Sequence, residues 1–193
     1  SLAPTFERHA QTLIDGLRAN RSFDIVARLS EPFSGLATTT MLNLPDDKAP
    51  IIARDAALLG KAMGPKAQEY EAETNAAYER LSALAHDLLT SPPTGGFVDR
   101  MHREAVALEV TEWQALIDLI VISIFGGVDT TRAQLAFSAQ LFAEHPDQWR
   151  WLRTHPEAIG GAIDEVIRTR PTTTLASRQA VEDFEFGGVE IAR

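Results

Sequence analysis

The chain has 193 residues, 45% hydrophobic and 23% charged, an ordinary balance for one globular unit able to bury a sizeable core. A net charge of −9 without clustered Lys and Arg argues against a nucleic-acid-binding surface. The complete lack of cysteine excludes disulfides, thiolate metal sites and a cysteine nucleophile within these residues.

Ser1 to Arg8 is polar and amphipathic, with no apolar signal core. The most apolar run, Ala115 to Val128, is about 14 residues long and contains Asp118 and Ser123, whereas a bilayer span needs about 20. A cytoplasmic protein without membrane contact is the expectation.

Helical periodicity dominates. Phe6, His9, Ala10, Leu13, Ile14 and Leu17 recur at three- and four-residue intervals and predict a first helix, broken by Asn20-Arg21-Ser22. Asp24 is placed to cap a second helix carrying Ile25, Val26, Leu29, Phe33 and Leu36, bent by Pro32. Met41 to Asp47 reads as a turn, with Asp46 or Asp47 capping a helix from Ala49 to Met63. Lys66 to Leu89, rich in Ala, Glu and Lys, predicts a surface helix lying across the core.

Ser91 to Gly96 is the clearest loop, and Phe97 to Ala105 a short helix. Thr111 and Gln114 resemble a capping box opening a long helix to about Ala143. His145-Pro146 and His155-Pro156 open two more, ending at Leu152 and Thr169. Phe184 to Ile191 alternates around Gly187-Gly188, a small hairpin. Without an internal repeat or a linker-like composition shift, residues 1–193 read as one mainly α domain. Trp113, Trp149 and Trp151 read as core or half-buried packing residues, and the five histidines lack paired ligand spacing.

Two motifs carry chemistry. Phe125-Gly126-Gly127-Val128-Asp129-Thr130-Thr131 sets an acid beside an alcohol behind two glycines, midway along the long helix. Each glycine costs roughly 0.5–1 kcal/mol there relative to alanine. Either the glycines admit a crossing helix or the helix opens for a ligand, beside an acid–alcohol pair able to relay protons. In Glu165-Val166-Ile167-Arg168 the three-residue spacing pairs a carboxylate with a guanidinium on one helix face. The flanking Ala162, Ile163, Val166 and Ile167 imply partial burial there. Arg178, beyond Pro171, is a candidate anion contact.

In this order, spanning essentially the whole chain, the motifs resemble the cytochrome P450 family, specifically its soluble bacterial branch. Gly126 to Thr131 looks like the family's oxygen-binding helix motif and Glu165 to Arg168 like its Glu-x-x-Arg motif, at the customary separation. Asp24-Ile25-Val26 and Asn43-Leu44-Pro45 are similar to the segments preceding the motif helix, and Val181 to Ile191 to the strand pair that follows.

The resemblance implies a haem-dependent monooxygenase acting on a small apolar organic substrate, with a ferredoxin-type redox partner. It implies that Asp129 and Thr130 deliver protons during oxygen activation, and that Gly126 and Gly127 let haem and oxygen approach the helix. The Thr130 hydroxyl would divert a backbone carbonyl and widen the helix locally. Arg178 would pair with a haem propionate, Glu165 and Arg168 would lock the fold, and Ile122, Phe125, Thr174 and Leu175 would face the substrate. These residues correspond to the central portion of such a domain, incomplete at both ends, without the cysteine that serves as axial ligand. The chain alone is therefore expected to be inactive. A non-catalytic relative that assists a partner such as a glycosyltransferase is the alternative.

Overall fold

A computed structural model describes residues 1–175 and 178–193. Helix α1 (Ala3–Leu17) turns its buried His9 and Leu17 inward, as the periodicity predicts. The His9 ring nitrogen Nε2 lies 3.2 Å from the Thr40 hydroxyl. Asp24 then caps the next segment, its Oδ1 accepting from the backbone N–H groups of Val26 (2.8 Å) and Ala27 (3.0 Å).

That segment begins as a π-helical turn, Val26–Ser30, and continues as α2 (Glu31–Leu42). Pro32 stands in the first turn of α2, where its missing N–H is tolerated. The irregularity expected at the proline lies just before it, in the wide turn closed by the Glu31 N–H donating to the Val26 carbonyl. Asn43, in left-handed conformation (φ 57°), ends α2.

Neither Asp46 nor Asp47 caps α3 (Ala49–Lys61) through its side chain; a short 3₁₀ turn, Asp46–Lys48, leads in instead. A second 3₁₀ turn, Ala67–Tyr70, precedes α4 (Glu71–Thr90). Then come α5 (Phe97–Ala107), α6 (Trp113–Glu144), α7 (Pro146–Leu152), a 3₁₀ turn at Pro156–Ala158 and α8 (Ile159–Thr169). The capping box is not formed. Glu112 occupies the cap position, and the Gln114 amide instead donates to Asp118, 3.0 Å away.

The core lies where α2 to α6 meet. Ile117, Ile120, Val121, Ile124 and Val128 of α6 pack against Leu42 of α2, Ile52 and Ala56 of α3, Leu81, Ala85 and Leu88 of α4, and Val98 of α5. By length and composition alone α6 could cross a bilayer, which the shorter apolar run did not suggest. Its inward face is instead core. The three tryptophans are more exposed than expected, at 39–54%. They are held by rings at the surface: Trp151 stacks on His155 (4.2 Å), and Trp149 tilts against Phe142 (5.0 Å).

The next element among the described residues after α8 is an antiparallel hairpin, β1 (Phe184–Phe186) and β2 (Val189–Ile191), with Phe184 opposite Ile191. Gly187 and Gly188 both have positive φ (60° and 80°), the requirement of a tight two-residue hairpin turn.

One charge cluster binds the core elements. Asp55 of α3 is fully buried. Its carboxylate accepts two hydrogen bonds of 2.8 Å from Arg80 of α4 and one of 2.9 Å from Arg54. Burial pushes this carboxyl upward, but the hydrogen bonds from Arg80 and Arg54 outweigh it and hold its pKa below the ordinary value. A second tie runs from the Tyr78 hydroxyl of α4 to Asp118 of α6 at 2.6 Å.

Because the folded pKa of Asp55 is lowered, its stabilisation is complete above the unfolded value of about 3.9 and disappears as pH falls through the folded value. Chemical denaturation of Arg80→Met should therefore show a loss of about 3 kcal/mol at pH 7, the order expected when a buried carboxylate loses a partner. That deficit should shrink when the titration is repeated below about pH 4.

Candidate functional site

The candidate site is built on one helix whose two faces differ. The inward residues of α6 recur as 117, 120, 121, 124 and 128. The 3.6-residue period then turns Leu119, Ile122, Gly126 and Thr130 outward, and Leu119 and Ile122 are 46% and 62% exposed. The result is a solvent-facing strip that is apolar at one end, bare in the middle and hydroxylated at the other.

The two glycines do different things. A Cβ added at Gly127 would lie 3.3 Å from the Thr38 hydroxyl of α2, so Gly127 permits the close crossing of α2 and α6. A Cβ at Gly126 would meet nothing within 4 Å. Gly127 thus serves helix packing, while Gly126 borders open space.

Helix α6 does not open. It is continuous from Trp113 to Glu144, contrary to the widening expected at Thr130. The Thr130 hydroxyl donates to the Gly126 carbonyl at 2.6 Å, one turn back, without interrupting the helix. The bond fixes the hydroxyl beside the bare backbone of Gly126.

Asp129 points elsewhere. Its carboxylate oxygens lie 3.3–3.4 Å from the position a Cβ would take at Gly60 of α3. Arg132, one turn on, donates to Asp129 Oδ1 at 2.6 Å. The same guanidinium reaches Glu31 of α2 at 3.7 Å. Acid and alcohol are neighbours in sequence yet have separate hydrogen-bond partners.

Glu165 and Arg168 form a two-pronged pair, both bonds 2.7 Å long. The hydrogen bond from Arg168 is the chief reason the Glu165 carboxyl sits below its ordinary pKa. The pair is exposed rather than half-buried as the flanking residues implied. Val166 is buried, whereas Ile163 and Ile167 are about half exposed, because α8 is covered on one side only, by α6. Glu165 also lines a cavity of about 310 Å³ with Phe142, His145, Ala162 and Arg170.

Phe125 is half-buried, while Ile122, Thr174 and Leu175 lie open to solvent rather than enclosing a pocket. Arg178 is exposed on the stretch leading to the hairpin. Sequence reasoning missed the partners of Asp129. Arg132, spaced i,i+3 from it, was a readable signal; Gly60, about 69 positions away, and Glu31, which meets Arg132 rather than Asp129, were not.

No family model matches the chain. Among curated proteins it is 37% identical over 117 residues, 60% of its length, to luteothin monooxygenase of Streptomyces thioluteus, 27% of which is covered. It is 23% identical over its whole length to the polyketide biosynthesis cytochrome P450 PksS of Bacillus subtilis, covering 48% of that protein. The crystal structure of P450BioI with an acyl carrier protein carrying hexadec-9Z-enoic acid superposes on the entire chain with a TM-score of 0.87, at 18% identity and 51% coverage. The chain thus spans about half the length of these full-length matches. It has the fold of about half a bacterial cytochrome P450 over its whole length and is similar in sequence to members of that family.

The family's cofactor is haem. The bare backbone at Gly126, with apolar Ile122 before it and a hydroxyl after it, fits one wall of a haem and oxygen site. The thiolate that ligates P450 iron is not among these 193 residues.

Substituting leucine at each glycine separates the two roles. Gly127→Leu should destabilise the protein by about 1–3 kcal/mol through overpacking against Thr38. Gly126→Leu should leave the thermal melting temperature unchanged or raise it slightly, since leucine is the better helix former and the space is open. Circular dichroism melts of the two variants check this.

Proposed function

We propose that this chain supplies the oxygen-handling helix and the Glu-x-x-Arg helix of a haem-dependent monooxygenase that hydroxylates a small apolar organic substrate. The observation that carries the reading is the open strip of α6, where Gly126 presents bare backbone and Thr130 is anchored beside it. The names of the relatives agree with it, luteothin monooxygenase among them.

Haem, when bound through a thiolate, supplies dioxygen activation. Thr130 contributes the proton-handling group. Its O–H is committed to the Gly126 carbonyl, while its oxygen lone pairs remain available as acceptors at the open face. Rotation of the hydroxyl away from Gly126 converts it into an outward donor. Asp129 is the acid that restores the proton, after leaving Arg132. Gly126 keeps the approach free, and Gly127 sets the depth at which α6 sits against α2.

Ile122 and Phe125, one turn before the glycines, with Thr174 and Leu175, give the substrate an apolar boundary. Arg178 is the propionate contact, a role suited to a planar guanidinium. Glu165 and Arg168 act on the fold, since a carboxylate bonded at both oxygens is poorly placed for proton transfer. A ferredoxin-type donor and a soluble, cytoplasmic setting complete the reading. A partner-assisting role without catalysis needs neither a bare glycine nor a hydroxyl next to it.

The test uses the full-length protein encoded with this chain. Reduced and treated with carbon monoxide, it should give the thiolate-haem absorption band, and Thr130→Ala should keep that band while diverting electrons from product to peroxide or water. Full coupling in Thr130→Ala would remove the proton-handling role, and failure to take up haem would remove the enzymatic reading.

A further inference from the structure

Arg132 lies between two carboxylates on different helices. Its Nη2 donates to Asp129 at 2.6 Å, and its Nη1 stands 3.7 Å from Glu31. Its Nε is buried with no hydrogen-bond partner. The side chain is 25% exposed, Asp129 30% and Glu31 38%, so water screens the three charges only in part. The guanidinium meets the two acids through different nitrogens, and the distances show that it holds Asp129 more closely than Glu31.

Glu31 does not drift. It opens α2, where an acid is favoured by the helix dipole. Its backbone N–H closes the π turn Val26–Ser30 on the Val26 carbonyl. Pro32 follows at once, and both the π turn and α2 pack on α6. The Glu31 carboxylate is therefore presented to Arg132 from a backbone held by the π turn, by Pro32 and by packing on α6.

We propose that Glu31 is a positioning residue for proton delivery: by drawing on Arg132 from α2, it weakens the hold of Arg132 on Asp129. This rests on the role given above to Asp129. Held by Arg132, the carboxylate faces Gly60 and is unavailable to Thr130. Released, it takes up one proton from solvent and passes it to the Thr130 oxygen as that hydroxyl passes its own outward, which returns Asp129 to the carboxylate, so neither group is consumed. Neutralising Glu31 strengthens the grip on Asp129; removing Arg132 abolishes it.

The two changes should act in opposite directions, which a purely structural pair would not do. In the full-length holoenzyme, Glu31→Gln should lower the fraction of electrons recovered in product by about threefold and raise the solvent deuterium isotope effect, a size set by a half-exposed ion pair. Arg132→Gln should leave coupling equal to or above the parent. The double variant should match Arg132→Gln alone, because Glu31 acts through Arg132.

A second readout needs no turnover. Rotation of the Arg132 guanidinium, followed by ¹⁵N NMR in the same full-length protein, should slow in Glu31→Gln and speed up in Asp129→Asn. Losses of coupling in the same direction for both single variants, or additive losses in the double, would overturn the proposal. So would unchanged guanidinium rotation in Glu31→Gln. If Asp129→Asn itself leaves coupling and isotope effect untouched, the role of Asp129 fails, whatever the Glu31 variants do.

Discussion

Burial of one face of α6 is the constraint from which the rest of the site follows. Five large aliphatic side chains, from Ile117 to Val128, are committed to the core formed with α2, α3, α4 and α5. Each removes apolar surface worth about 1.5–3 kcal/mol from water. No single polar contact on the opposite face can rotate the helix against that sum. The helical period therefore dictates that Ile122, Gly126 and Thr130 face away from the packed side. A residue at 127 shares the crossing with α2, and a residue at 126 shares nothing. Two glycines adjacent in sequence thus have different purposes because successive positions on a helix point about 100° apart.

The charged groups divide by burial in the same way. Asp55 is inside, and its three hydrogen bonds from Arg80 and Arg54 offset the desolvation that a lone carboxylate would suffer. It ties α3 to α4, two of the helices against which α6 is laid. Glu165 and Arg168 make equally short bonds in the open, where such pairs contribute little to stability. Their value lies in geometry: both carboxylate oxygens are occupied and the guanidinium is held flat. Asp129, Arg132 and Glu31 fall between these extremes, half-buried and unequally spaced, and that intermediate condition makes an exchange of partners possible.

Much of the local architecture was legible in the sequence, because it is governed by short-range chemistry. Proline set the start of α7 exactly at Pro146, and Asp24 capped its segment. Gly187-Gly188 fixed the hairpin turn. What could not be read depends on residues far apart. The burial of Asp55 is decided by Arg80, on another helix; a lone Asp after an Arg looks like surface. The tryptophans were misjudged because aromatic residues suggest a core, whereas Trp149 and Trp151 rest on Phe142 and His155 at the surface. Within the site, both motifs were readable, whereas the unbroken helix and the separate partners of Asp129 and Thr130 were not.

The intact helix changes what the glycine motif has to accomplish. A break in α6 would free backbone carbonyls, each costing about 1–3 kcal/mol if left unpaired away from water. Here the hydroxyl of Thr130 shares the Gly126 carbonyl, and no carbonyl is released. Open space comes from the missing side chain at 126, and a hydrogen-bonding group comes from the side chain one turn later. The helix keeps its core-facing register throughout, so the distance between bare backbone and hydroxyl is set by the i,i+4 geometry itself. A site made this way is as rigid as the helix that carries it, which leaves motion to the side chains. Among these the Asp129 carboxylate is tethered by an arginine that α2 also engages.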